Sequence, residues 1–310
     1  MISSVTARAL VGACALPFLL GACSSLASDR GDVRDAAIVT APDGDAIGVE
    51  QLARELRRYD VVFLGELHDS ETGHLLMTEL TERILDGHRA PVLSMEMFER
   101  DVQDLVTAYA QGRLDRETFV TSSRAWGASY DAEADAWDTT SYDTHYGPVV
   151  DLAREHGWDV VAANVPRRDA RAVARGEAPM RQPSMFASPL VDLSDGRYKR
   201  TFYADMGLDG DGGMHGHGGG MDAERFYAAQ VVKDETMAHA IARLFEPDGP
   251  WPRVVHWNGR YHSDWGLGTV ERLRERRPDL TIAVVSMERG DARAVARSED
   301  PPARWIIDVP

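Results

Sequence analysis

Carboxylate and imidazole side chains follow several apolar runs of the sequence, each directly at the end of its run. Glu66 and His68 lie in the motif Gly65-Glu66-Leu67-His68-Asp69, Glu96 closes a second run, and His262 ends the motif Gly259-Arg260-Tyr261-His262. Carboxylate oxygens and imidazole nitrogens together can hold a divalent metal, or act as base and acid around a water molecule. Glu66, His68, Glu96 and His262 are therefore candidate metal ligands and candidate catalytic residues.

The apolar runs have the length of buried strands and alternate with amphipathic stretches that have helical spacing. The expected strands are 61–65, 91–96, 159–165, 253–257 and 281–285, with 305–307 as a sixth. This alternation predicts a three-layer α/β fold, with a mostly parallel sheet and helices on both faces. Parallel strands end at one edge of their sheet, so we expect the four candidate residues to lie in one crevice there.

One domain from residue 46 to 310 is expected, with a helical insert at about 98–142. A glycine-rich segment at 205–222 interrupts it and carries His215, His217 and several methionines. Glycines cannot fill a core, so this segment is expected to be a flexible loop that carries soft ligands. On this loop alone, a chaperone for copper or a similar soft metal ion is one hypothesis.

The amino terminus has the pattern of a lipoprotein signal peptide. A single cation, Arg8, precedes an apolar run that is too short for a permanent membrane span and ends in Leu20-Gly21-Ala22-Cys23. The prediction is cleavage of residues 1–22 and lipidation, including palmitate, at Cys23. Residues 23–45 are expected to form a flexible tether. Ser24 stands where an aspartate commonly marks retention at the inner membrane, which favours an outer-membrane anchor facing the periplasm.

Composition excludes several classes of protein. The formal net charge of the 310 residues is −16, which disfavours binding to nucleic acid or to anionic lipid headgroups. The chain has 2 cysteines, so after cleavage no disulfide is expected. The sequence contains no glycine-rich nucleotide loop, no Gly-x-Ser-x-Gly elbow and no His-Glu-x-x-His helix, which disfavours nucleotide-binding folds, serine hydrolases and ordinary zincins.

Beyond single residues, an ordered series of motifs resembles the ChaN family, which forms a superfamily with the Tiki and TraB proteins and, more distantly, the erythromycin esterases. The similarity runs from about residue 50 to 287. Its motifs are Phe63-Leu64-Gly65-Glu66-Leu67-His68-Asp69, Met95-Glu96-Met97-Phe98-Glu99-Arg100, Tyr146-Gly147-Pro148-Val149-Val150, Ala162-Ala163-Asn164-Val165-Pro166-Arg167, Ala229-Gln230 with Asp234-Glu235-Thr236-Met237-Ala238, and Gly259-Arg260-Tyr261-His262. The resemblance implies haem binding in iron uptake, with the iron held by a tyrosine and a homodimer enclosing the ligand.

The axial donor to the haem iron has several candidates. A phenolate suits ferric haem, an imidazole is the usual alternative, and nearby cations can hold the propionates. Tyr198 and Tyr203 stand just before the glycine-rich loop, close to Lys199 and Arg200. The other candidates are His215, His217, Tyr146 and Tyr142.

Two functions therefore compete with the soft-metal hypothesis. The favoured one is a lipid-anchored haem-binding protein that captures haem or hands it over without turnover. The alternative is a metal-dependent hydrolase or peptidase of Tiki type that uses Glu66, His68, Glu96 and His262.

Overall fold

The computed structural model describes residues 37–194, 196–208, 222–246 and 249–310. Eight of the strands in this part of the chain form one sheet, in the order β2-β1-β10-β9-β3-β8-β4-β7, and the remaining two form a separate hairpin. The strands are β1 (Ala37–Thr40), β2 (Asp45–Ile47), β3 (Val61–Glu66), β4 (Pro91–Glu99), β5 (Ser129–Asp131), β6 (Ala136–Asp138), β7 (Asp159–Asn164), β8 (Arg253–Gly259), β9 (Ile282–Arg289) and β10 (Trp305–Val309).

Six strands of the large sheet, from β10 to β7, are parallel, and β1 and β2 extend one edge as antiparallel strands. The helices are α1 (Val49–Leu56), α2 (Glu71–Leu85), α3 (Gln103–Ala110), α4 (Arg116–Ser122), α5 (Thr140–His145), α6 (Gly147–His156), α7 (Arg167–Ala174), α8 (Arg197–Asp205), α9 (Ala223–Ala242), α10 (Thr269–Arg276) and α11 (Ala292–Ala296). Short 3-10 turns follow β4 and β8.

Alternating residues of β3 show why both faces of the sheet are covered. Val62 and Leu64 belong to a core with α1, α2 and α6, whereas Val61 and Phe63 belong to a core with α9 and α10. A central parallel strand buried on both faces is expected to be mainly apolar; residues 61–64 of β3 are apolar, and the whole strand is buried. The expected three-layer α/β fold with a mostly parallel sheet is confirmed.

The sheet begins earlier than expected. Residues 23–45 were expected to be a tether, but β1 starts at Ala37 and pairs with β10, so the ordered domain does not begin at residue 46. Ile38 and Val39 are buried there. A four-residue strand is too short to give a periodic apolar signal, because its stabilisation comes from pairing with a strand far along the chain.

The expected helical insert, residues 98–142, holds α3 and α4 and the beginning of α5, together with the exposed β5–β6 hairpin, which the sequence pattern did not indicate. Of the glycine-rich loop, residues 209–221 lie outside the described residues, and so do residues 1–36 with Cys23. Within the described ranges, no helix combines the length and the apolar character that a membrane crossing needs.

Candidate functional site

The ends of three adjacent strands bring the four candidate residues together. Glu66 closes β3 opposite Gly259, which closes β8, and β4 carries Glu96 on the other side of β8. The 3-10 turn after β8 carries His262. Glu66, Glu96 and His262 are buried. The prediction that these side chains share one rim of the sheet matches their placement.

A buried ion cluster surrounds His262. Its Nε2 lies 3.1 Å from Glu96 Oε1, and its Nδ1 lies 2.7 Å from Asp234 Oδ1 on α9. Burial alone would lower the pKa of His262, but the two carboxylates outweigh burial and raise it to about 10. Burial would likewise raise the pKa of Glu96, yet the charge of His262 lowers it to about 2. Each ring nitrogen of His262 thus faces a carboxylate oxygen, an arrangement that favours the protonated imidazole.

Two further groups complete this cluster on the side of Asp234. Tyr198 donates from its hydroxyl to Asp234 Oδ2 at 2.5 Å, and Thr269 donates to Oδ1 at 2.9 Å. Gln230 lies one helical turn before Asp234 and places its amide nitrogen 3.3 Å from the Tyr198 hydroxyl. The carboxylate of Asp234 is thus saturated with donors, which makes its charge tolerable in the interior.

A second cluster is centred on Glu66. Its Oε1 accepts from His68 Nδ1 at 2.5 Å, and its Oε2 lies 2.6 Å from Nε2 of the buried His74. Nδ1 of His74 faces the Ser70 carbonyl oxygen, which can only accept, so that nitrogen carries a proton. Burial would raise the pKa of Glu66, but the hydrogen bond with His68 and the close imidazole of His74 keep it below its usual value.

His68 is the member of the four that solvent reaches. Its side chain is 57% exposed, and its ring meets Trp126 edge to face at 5.4 Å. The hydrogen bond with Glu66 raises the pKa of His68 and orients the ring. The arrangement can therefore donate or accept a proton at His68 Nε2.

Gly259 joins the two clusters. Its N–H donates to Glu96 Oε2 at 2.9 Å. A Cβ at this position would lie 3.0 Å from Cε1 and 3.1 Å from Nε2 of His68, which is tighter than an ordinary contact. Glycine therefore allows His68 to pack against the backbone beside Glu96, and this close approach accounts for the glycine of the second Gly-x-x-His motif.

The donor set does not fit the expected divalent metal site. In the described part of the chain, no three or more His, Cys, Asp or Glu side chains are grouped so that they could hold a metal ion. The physical reason is that a metal needs an imidazole lone pair and free carboxylate oxygens. Both ring nitrogens of His262 face carboxylate oxygens, and the oxygens of Glu66 and Glu96 lie within 3.1 Å of imidazole nitrogens or of a backbone N–H.

The candidate haem ligands lie in different surroundings. Tyr198 is buried, and burial and Asp234 raise its pKa well above the usual value. Tyr146 lies in the strand-end cluster with its hydroxyl 3.4 Å from Glu66, and burial raises its pKa too. Binding as a phenolate would require either residue to ionise in the interior beside a carboxylate, which argues against both. Tyr142 is also fully buried.

Tyr203 remains a suitable candidate, because it is partly exposed at the end of α8 and Lys199 stands over its ring at 5.6 Å. His215 and His217 lie outside the described residues, so their candidacy stays a prediction.

Sequence reasoning missed two residues of this region. His74 lies among the apolar residues of α2 and has the spacing of a core position, so only its contact with Glu66 reveals its role. Tyr261 was noted only as part of a motif, but its side chain is 53% exposed and lines a small cavity together with Met206 of the α8 end. Its exposure between the half-buried Arg260 and the buried His262 could not be deduced from spacing.

Comparisons with known proteins place this chain in a family. Residues 52–273 match the family described as haem-binding uptake, Tiki superfamily, ChaN. The solved structure of ChaN of Campylobacter jejuni, described as showing cofacial haem binding, is similar with a TM-score of 0.64 and 15% identity, over 89% of this chain and 97% of that chain.

Two more distant structures also align. The type III effector HopBA1 gives a TM-score of 0.44 and 10% identity over 87% of this chain and 96% of its own. A variant of the erythromycin esterase EreC in its open conformation gives a TM-score of 0.43 and 12% identity, over 87% of this chain and 82% of its own. No curated protein matches the sequence. Because the family match spans well over half of the chain, this protein belongs to the haem-binding uptake family ChaN of the Tiki superfamily.

Proposed function

We propose that this protein is a lipid-anchored haem-binding protein of the cell envelope, which captures haem or hands it over during iron uptake without turnover. The observation that carries the proposal is the family match over residues 52–273. The C. jejuni structure supports the shared fold, and its cofacial haem binding is a property of that protein.

The strand-end cluster favours binding over catalysis. A general base needs a neutral imidazole, and a catalytic metal needs an open coordination position. Each ring nitrogen of His262 faces a buried carboxylate oxygen, so neither nitrogen is open to a substrate or a metal. The cluster instead ties β4, β8 and α9 together and gives the adjacent α8 surface a rigid support.

We place the haem at the surface formed by the end of α8 and the turn after β8. Tyr203 near the end of α8 and Tyr261 in the turn after β8 offer phenols, and Met206, which is 40% exposed, lines a small cavity with Tyr261. Arg200 is exposed on the same helix and is suited to a propionate. His215 and His217 follow α8 in sequence and stand as alternative axial donors. A homodimer that encloses the haem fits an exposed surface of this kind.

Attachment to the membrane is proposed through Cys23 after removal of residues 1–22, with the domain in the periplasm at the outer membrane. The acidic surface of the protein, with a formal net charge of −16, would be repelled by anionic headgroups, so the lipid has to supply the attachment.

The proposal is tested by titrating residues 24–310 with ferric haem and recording the Soret band. We expect saturable binding in the protein and an altered spectrum in at least one of Tyr203→Phe, Tyr261→Phe and His215→Ala/His217→Ala, because loss of the axial donor changes the ligand field. Tyr198→Phe and Tyr146→Phe are the matched controls, and their spectra should not change. The absence of saturable haem binding would refute the proposed function. A changed spectrum in a control would show that the axial ligand to the iron lies in the buried clusters.

One observation favours the alternative, a hydrolase. His68 is exposed, and Glu66 orients it as a carboxylate orients a catalytic imidazole. His68→Asn should leave the haem spectrum unchanged if the protein is a haem binder with its ligand near α8. Loss of a measured esterase or peptidase activity in this variant, with haem binding intact, would instead support an enzyme.

A further inference from the structure

A cavity of about 500 Å³ lies at the β7 edge of the sheet, away from the haem surface proposed above. Its volume is in the range of small-molecule sites. It is bounded by the turn after β4, the start of α3, the middle of β7, the segment 185–186 and the carboxyl end of α9. The lining of the cavity includes Arg100, Arg243, Val161, Phe186, Ala240 and Leu244.

Arg100 enters this cavity without a carboxylate partner. Among the described residues, its hydrogen bonds go to the Phe186 carbonyl oxygen at 3.1 Å and to His239 Nδ1 at 3.4 Å. Its side chain is half-buried, and both burial and the charge of Arg243 lower its pKa. A guanidinium that is desolvated and faces a like charge is unfavourable unless an anion completes the site.

The neighbouring groups add positive potential and little compensation. Arg243 contributes a second guanidinium, and its carboxylate neighbour Glu246 lies 3.6 Å away at the exposed rim. His239 accepts from Arg100, and burial together with the surrounding arginines lowers its pKa, so it remains neutral. The net charge around the mouth is therefore positive, in a protein whose formal net charge is −16.

Most of the remaining lining residues are apolar, and the exceptions are the amide of Gln103 and the carboxylate of Glu246. Val161 lies on the edge strand, Phe186 faces it from the connecting segment, and Ala240 and Leu244 close the side formed by α9. Apolar walls with two convergent guanidiniums fit a ligand that has an anionic head and an apolar body.

We propose that this cavity binds a carboxylate carried on an apolar body, with Arg100 and Arg243 holding the carboxylate. The planar guanidinium of Arg100 pairs with both carboxylate oxygens, while Val161, Phe186 and Leu244 contact the body. The site is separate from the α8 surface, so it extends the proposed function and does not depend on it. A fatty carboxylate and a haem propionate are two sources of the same chemistry.

Octanoate and the neutral octanamide are the probes, measured by calorimetry on residues 24–310, which contain all of the strands and helices that the structure describes. Octanoate should bind one to one, and octanamide at least about tenfold more weakly, since charge-assisted hydrogen bonds contribute about that factor. Arg100→Met roughly keeps the length of the side chain and should weaken the binding of octanoate by about the same factor, while the affinity for octanamide stays unchanged. Arg243→Met changes the more exposed of the two arginines and should also weaken the binding of octanoate. Arg54→Met, on the surface of α1, is the matched control.

Two outcomes would overturn the proposal: equal binding of the two probes, or octanoate binding to Arg100→Met as tightly as to the parent protein. Absence of octanoate binding to the folded parent would overturn it as well. If ferric haem displaces bound octanoate, the natural carboxylate of this cavity is a haem propionate. If haem and octanoate bind together, the natural carboxylate belongs to another molecule. Both results uphold the site. Because haem binding is read separately from the Soret band, failure here is distinguishable from failure of the proposed function.

Discussion

At the scale of single residues, the most informative feature is that His262 has two carboxylate partners. An imidazole with one carboxylate can still offer a lone pair to a metal or a substrate, as His68 can. With Glu96 on one nitrogen and Asp234 on the other, both nitrogens of His262 are occupied and the protonated form is favoured. The same residue type in the same Gly-x-x-His motif therefore has a different chemical role at each of the two strand ends.

Glu96→Gln should destabilise the protein by about 3 to 5 kcal/mol, because it removes one partner of a buried ion pair and leaves the other charge in the interior. It should also lower the pKa of His262, since one of the two carboxylates that raise it is lost. Urea unfolding at pH 6 measures the first effect, and the ring proton shifts of His262 measure the second.

Glu79→Gln is the matched control for this experiment. Glu79 pairs with Arg83 on the surface of α2, where such a pair contributes about 1 kcal/mol or less. Equal losses of stability in the two variants would contradict the assignment of a buried ion cluster around His262.

At the scale of elements, the edge of the sheet at β7 shows how an exposed strand is protected. A parallel edge strand presents unpaired N–H and C=O groups that could pair with another chain. Gln103, the first residue of α3, places its amide against this edge. Its Nε2 donates to the Val160 carbonyl oxygen at 2.9 Å, and its Oε1 accepts from the Ala162 N–H at 2.8 Å.

Gln103→Leu should cost about 1 to 3 kcal/mol, because the two backbone groups of β7 lose their partner in a partly buried position. The amide of Ala162 should then exchange with solvent faster, which hydrogen exchange followed by mass spectrometry or NMR measures. Gln51→Leu on the surface of α1 removes only an exposed bond to Glu55 and serves as the control. Unchanged exchange at Ala162 would show that other groups protect this edge.

At the scale of the whole molecule, the buried ion cluster predicts how stability depends on pH. Glu96 has a folded pKa of about 2 against 4.5 unperturbed, so its contribution is present above pH 4.5 and is lost as pH falls towards 2. His262 has a folded pKa of about 10 against 6.5, so its contribution is complete below pH 6.5 and is lost as pH rises towards 10.

The difference in free energy of unfolding between the protein and Glu96→Gln/His262→Gln should therefore be largest between pH 4.5 and 6.5 and should shrink on both sides. Urea unfolding across this range measures it. Other titrating groups, such as Asp264, whose pKa burial raises to about 6, cancel in the difference. A difference that does not vary with pH would show that the pair is not ionised in the folded state.

Membrane attachment is also a property of the whole molecule. Cys23→Ala should leave the precursor without lipid and uncleaved by the lipoprotein peptidase, because the thiol is the group that takes the diacylglycerol. Metabolic labelling with palmitate and the mass of the purified protein measure both changes. Cys14→Ala, the control, should be processed normally. Normal cleavage and labelling of Cys23→Ala would refute the lipoprotein assignment.

The sequence by itself determined the layered fold and the edge at which the site lies. Apolar runs such as 61–65 are read directly as buried strands, and parallel strands necessarily end at one edge, so Glu66, Glu96 and His262 had to converge. The strand at residues 37–40 and the β5–β6 hairpin were not predicted, because strands of three or four residues are too short to show a periodic pattern.

Only the tertiary structure decided what each of these residues touches. Glu96 accepts from Gly259, 163 positions away, and His262 meets Asp234, 28 positions away. Such partners depend on how helices pack on the sheet, and residue spacing carries no information about that. The same packing buries Tyr198 as a donor to Asp234 and leaves Tyr261 exposed. Local patterns specify elements and their ends, whereas charge, protonation and accessibility arise from contacts that form only when the chain is folded.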